Sequence, residues 1–207
     1  MNIARNIFHI LLSLAISLLL CCMAAAQNSH ATNSAKSNTN SSPTSNEAVS
    51  ATQRFMDEAA LSNMAEVDLG KLAQQNAESS EVKAFGERMI TDHTKADDEL
   101  KQVAAQQQVN LPPGLDSKFE VTRARLAKLH GHAFDEAYMR DMVTDHKKDV
   151  AEFKRESDTL KDPAVKKWAE ETLPVLESHL QLAEKVAPTV GVKLSAKNES
   201  RMSAMAN

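Results

Sequence analysis

The chain of 207 residues contains two cysteines, Cys21 and Cys22, and both lie in an apolar stretch near its start. Beyond that stretch no disulfide and no thiolate metal site can form, so stability must come from packing or from an ion held by nitrogen and oxygen. Glycine is scarce, five residues in all, and nearly absent from the middle. No alternation of β-branched residues occurs there either, which argues against a strand-built fold. Aromatic residues make up only 4% and no basic block or basic-aromatic interleaving appears, so nucleic acid is not expected as a partner. No nucleophile, substrate pocket or cofactor motif stands out. An enzyme, such as a small oxygenase or hydrolase at an open metal position, is therefore the least supported function. What is present is Ala, Gln, Glu, Lys, Leu and Met, an all-helical composition.

Arg5 followed by the apolar residues 7–23 and by Ala24, Ala25 and Ala26 has the layout of a cleavable signal peptide over residues 1–26, cut before Gln27. A membrane span needs about 20 apolar residues, and polar Gln27, Asn28 and Ser29 follow at once. Leu20 in front of Cys21 does not suit a lipoprotein signal. Export to the periplasm or outer cell envelope is expected, with no transmembrane segment in the mature chain. Loss of Arg5 takes the formal net charge from −4 to −5. Residues 27–49, rich in Ser, Asn and Thr, cannot offset their ordering entropy by burial and read as a disordered linker. Residues 50–187 form one domain of ordinary size. Residues 188–207 read as a flexible tail in which Val190, Val192 and Leu194 could pack locally.

Four long helices and a short one are expected in the domain. A capping box from Ser50 to Gln53 opens the first, whose stripe runs Phe55, Ala59, Ser62, Glu66, Leu69, Ala73. Ser79 or Ser80 caps the second, with the stripe Val82, Phe85, Met89, His93, Ala96, Leu100, Val103, ended by Pro112, Pro113 and Gly114. A capping box at Ser117 starts a short helix that stops near Gly131. The third long helix, about 132–160, places Met139, Met142, His146, Val150 and Phe153 on one face. Asp162 and Pro163 start the fourth, which carries Val165, Trp168, Thr172, Leu176, His179 and Ala183 before Pro188 closes it. Pro174 inside it predicts a kink. The short links within the first and second pairs predict antiparallel hairpins, and the longer middle connection predicts a crossover. The fold class is all-α, a four-helix bundle of two antiparallel hairpins.

Two near-identical segments stand out, Met89-Ile90-Thr91-Asp92-His93 and Met142-Val143-Thr144-Asp145-His146. Each puts a histidine where the stripe calls for an apolar residue, and a buried ring must find a partner for its nitrogens. Measured from the inter-helix turns, Glu66 pairs in height with His93, and His146 with His179, to within about 4.5 Å. Glu66, His93, His146 and His179 thus form a candidate set for a single divalent ion, with zinc, iron and manganese all accepting such donors. Asp92 and Asp145 point away from their own histidines and could orient a ring on an adjacent helix. Asp97 and Asp149 are the reserve ligands. The alternative is a buried hydrogen-bond network that fixes the pairing of the hairpins, the protein being a non-catalytic envelope module with an unknown envelope protein as partner. His130 and His132 read as a solvated helix end. Met56, Met64, Met89, Met139 and Met142 read as core filler, and Asp135 with Tyr138 as a structural hydrogen bond. Oligomeric state is not readable from these patterns.

The segment from Phe55 to Gly70, Phe85 with Met89 to Lys95, Gly131 with Phe134, Asp135 and Tyr138, Val143 to His146, and Leu173-Pro174 with His179-Leu180 resemble, in order, the bacterial family catalogued as domain of unknown function 4142 (DUF4142). The resemblance spans about residues 52–187 and implies a ferritin-like bundle in the periplasm or outer envelope, without supplying an activity. Di-iron bundles place a glutamate three residues before each of two histidines. Here those positions hold Ile90, Val143 and Leu176. Two irons would be short of negative charge, so a mononuclear site is the better metal reading.

Overall fold

The computed structural model describes residues 45–194, with side chains from residue 51 onward. The expected signal peptide, most of the linker, and the tail beyond residue 194 lie outside the described residues. Within them the chain is all-helical. It comprises α1 (Ser45–Asn76), α2 (Ser80–Gln106), α3 (Ser117–Leu126), α4 (Gly131–Thr159) and α5 (Pro163–Val186), closed by a 3-10 turn at Ala187–Val190. None of these helices is long and apolar enough to cross a membrane.

The termini follow local chemistry. Ser79 Oγ accepts from the Val82 amide and Asp162 accepts from Ala164 and Val165, as their positions before apolar stripes predict. Four boundaries differ from expectation, one of them the end of α3, which stops at Leu126 rather than near Gly131. Helix α1 starts at Ser45 rather than Ser50, since residues 45–49 contain no breaker. The cap of α3 is Asp116, not Ser117, its carboxylate accepting from Lys118 and Phe119. Helix α2 ends at Gln106, ahead of the prolines. Gln108 turns left-handed (φ 57°), Val109 N–H donates to Ala104 and Gln108 N–H to Ala105. That pattern terminates helices and usually carries glycine. Helix α5 continues through Pro174.

The three-residue link between α1 and α2 folds α2 back along α1, and the link after α4 does the same for α5. Helix α2 also packs on α5, whereas the α1–α4 seam is loose and α3 lies against both its walls. Gly70 and Gly86 let α1 and α2 approach closely, because a Cβ on Gly70 would lie 2.6 Å from the Gly86 carbonyl oxygen. Asp135 accepts from the Glu78 and Ser79 amides and so ties α4 to the α1–α2 link. It does not pair with Tyr138, whose hydroxyl is buried without a partner. The 3-10 turn buries Val190 and, just after it, Val192.

The core divides into two apolar clusters. One gathers Leu69, Val82, Phe85, Met89, Phe134 and Met142. The other gathers Phe55, Met56, Leu100, Phe153, Trp168 and Leu176. On α2, α4 and α5 a buried histidine lies between the residues of the two clusters.

Candidate metal centre

His93 on α2, His146 on α4 and His179 on α5 are 2%, 0% and 1% exposed. Their ring centroids lie 5.2–5.8 Å apart. Each helix delivers its ring because the histidine occupies a core position of an apolar stripe, between Met89 and Ala96, Met142 and Phe153, and Leu176 and Ala183.

Each ring has one nitrogen tied to an acceptor. His93 Nδ1–H donates to Asn63 Oδ1 at 3.0 Å, His146 Nδ1–H to the Met142 carbonyl at 3.0 Å, and His179 Nε2–H to Asp92 Oδ2 at 2.8 Å. A carbonyl or carboxylate oxygen only accepts, so the proton sits on the tied nitrogen and the other carries a lone pair. Those other nitrogens, His93 Nε2, His146 Nε2 and His179 Nδ1, are buried and have no hydrogen-bond partner. One nitrogen from each ring lies within 4.8 Å of the other two. Three points so spaced lie within about 2.8 Å of a common centre, so ring movements of under about 1 Å would reach the zinc–nitrogen distance of about 2.0–2.1 Å.

Electrostatics keep the rings neutral, the form that ligates. Burial, then the neighbouring His146 and His179, holds His93 well below the ordinary histidine pKa. Burial, then His179, lowers His146 to about 3 against the Met142 hydrogen bond. Burial also lowers His179, with Asp92 opposing. Burial penalises the Asp92 carboxylate in turn, but hydrogen bonds from His179 and Arg88 outweigh it and the net shift is downward. Arg88 Nε reaches Asp92 Oδ2 at 2.7 Å, so an Arg88–Asp92–His179 chain runs from solvent to the cluster.

Of the four candidate ligands, the structure brings the three histidines together and places Glu66 outside the group. Glu66 is buried, 3% exposed, and burial, then Asp149, Asp145 and Asp141, raises its carboxyl well above the ordinary value. Asp92 does orient a ring on an adjacent helix. Asp145, the matching residue of the second signature, does not: it faces the α1–α4 seam. The reserve ligands are engaged elsewhere, Asp97 with Lys101 at 2.6 Å and Asp149 with Ser62 at 2.9 Å. His130 and His132 are exposed at the start of α4. Asn63 escaped the sequence reading, which put Ser62 on the α1 stripe. The signal available was its position three residues before Glu66 on one helical face.

A family model described as Domain of unknown function (DUF4142) matches residues 36–186. No curated protein and no solved structure matches the chain.

Proposed function

Since the chain belongs to the DUF4142 family, whose description assigns no activity, we propose from the site itself that this is an exported helical-bundle protein that holds one divalent transition-metal ion on His93, His146 and His179. The observation that carries this reading is that three buried rings bring a nitrogen apiece within 4.8 Å of the other two, each ring having one nitrogen tied to an acceptor and the other unpartnered. Metal-ligating histidines are oriented in this way. A hydrogen-bond network alone leaves three acceptors facing one another, and a single water could donate to only two of them.

An all-imidazole donor set suits zinc, iron or copper better than manganese, which favours carboxylate oxygen. Three ligands would leave zinc a fourth position. The rings are almost fully buried and none lines the cavity at the α1–α4 seam, which suits retention of an ion more than turnover of a substrate. Glu66, part of the set expected from the sequence, is left out of this site. The family resemblance supports a ferritin-like arrangement of α1, α2, α4 and α5 as two hairpins, with α3 in the crossover. The apolar stretch at residues 7–23 with its three following alanines supports export.

Elemental analysis of protein purified without chelating resin tests the proposal. About one equivalent of metal is expected, and none in the His93→Ala/His146→Ala double variant. Ligand at about 100 times its dissociation constant should add about 2.7 kcal/mol of stability to wild type. Wild-type protein that stays folded, carries no metal and shows no thermal shift with added zinc, iron or copper would overturn it.

A further inference from the structure

A buried metal centre needs an entry path, and the three tied ring nitrogens differ in what lies behind them. His93 donates to Asn63, which is 4% exposed, and His146 to the carbonyl of Met142, which is 0% exposed. His179 donates to Asp92, which keeps 24% of its side-chain surface in water. Of the three acceptors, Asp92 is the one that touches both a ring and solvent.

The chemistry of that edge suits an arriving cation. An ion that crosses apolar side chains loses its hydration with nothing in exchange. At Asp92 a carboxylate replaces part of the lost shell, directly beside the His179 ring. That carboxylate is guarded. Its Oδ2 takes the His179 Nε2–H at 2.8 Å and the Arg88 Nε–H at 2.7 Å. The guanidinium, with 48% of its side chain exposed, neutralises the acid on its solvent side and repels a second cation. Arg88 and Asp92 lie one turn apart on α2, and exposed pairs of this kind are weak. Arg88 can therefore swing into water without disturbing the helix.

The doubled signature shows that this arrangement is particular to one side of the cluster. Arg88 and Asp92 of the first copy correspond to Asp141 and Asp145 of the second. Asp141 pairs with Arg125 of α3, and Asp145 faces the α1–α4 seam. Neither is tied to a ring, so the second copy supplies His146 without a carboxylate leading to it.

We propose, on the three-histidine reading above, that the metal ion enters and leaves the centre at the Arg88–Asp92–His179 edge. Asp92 captures the cation from water as a transient ligand. Arg88 competes for the same oxygen and sets the rate of exchange. The His179 ring, once its hydrogen bond to Asp92 is released, closes last on the arriving ion and opens first on the departing one.

Stopped-flow exchange of zinc between the full chain and a chromogenic indicator tests this. Arg88→Ala should speed both uptake and release by about tenfold or more, with the dissociation constant held within about threefold because a gate acts on both directions alike. Arg88→Lys keeps a positive charge at the guard and should exchange zinc at nearly the wild-type rates. Asp92→Asn keeps an acceptor for His179 but loses the charge, and should slow uptake by about tenfold or more. Lys167→Ala opens the exposed Lys167–Glu171 pair on α5 and should change neither rate. Unchanged rates in Arg88→Ala or in folded Asp92→Asn, or equal changes in Lys167→Ala, would overturn the entry route and leave the metal centre standing. Wild-type protein that takes up none of zinc, iron(II) and copper(II) would overturn both.

Discussion

Asp92 divides its carboxylate between solvent and core. It takes an ion pair from Arg88 and the Nε2–H of His179 on the same oxygen. Replacing it with Ala leaves His179 free to rotate and to exchange tautomers. Metal affinity should fall 10–100-fold, measured by competition with a chromogenic chelator, while the fold persists. An unchanged affinity would remove Asp92 from the site. Asp149 gives a stability test with a definite sign. Its folded pKa of about 6 lies above the unfolded value of about 3.9, so the folded state keeps a proton that the unfolded chain has already released. Its contribution therefore falls as pH rises from about 4 to about 6. Ser62, Lys148, Asp145 and Lys118 act on the same group. In urea melts Asp149→Asn should gain on wild type between pH 4 and pH 7.5, by up to about 2–3 kcal/mol. A gap constant across that interval would contradict the buried, proton-holding carboxyl.

Helix ends and crossings carry the next set of consequences. Gln108 occupies a left-handed position that glycine fills without steric cost. Gln108→Gly should raise the unfolding free energy by up to about 1 kcal/mol, read from denaturant midpoints at unchanged slope. Gly70→Ala should do the reverse. Alanine improves intrinsic helix propensity by about 1 kcal/mol, but its Cβ would meet the Gly86 carbonyl at 2.6 Å. Forcing the helices apart should leave a net loss of about 1–3 kcal/mol. These elements also show what the sequence discloses. Ser79 and Asp162 announced their helices because a cap acts through its own side chain. The end of α2 was read too late because Gln108 performs a task that glycine would have advertised. The start of α4 was legible from Gly131 and the polar residues around it, to within a residue.

Across the whole molecule, the all-helical character and the level at which three histidines meet were legible, because a polar residue inside an apolar stripe is visible at helical spacing. The partners that pin the rings were less so. Met142 acts through its main chain, which no side-chain pattern reveals, and Asn63 lies one position from the residue assigned to the stripe. Glu66 was expected in the same set from its height along α1 but lines the α1–α4 seam, because height along a helix does not fix which way a side chain faces. His93 reaches the cluster from the first half of the fold and His146 and His179 from the second, so neither half contains a complete set of donors. An ion gripped by all three would knot the chain to itself at positions 93, 146 and 179, fencing off two long loops in the denatured ensemble as a covalent cross-link does. A domain without a single thiol would then possess a reversible fastener, one that a chelator can undo and a metal supply can restore.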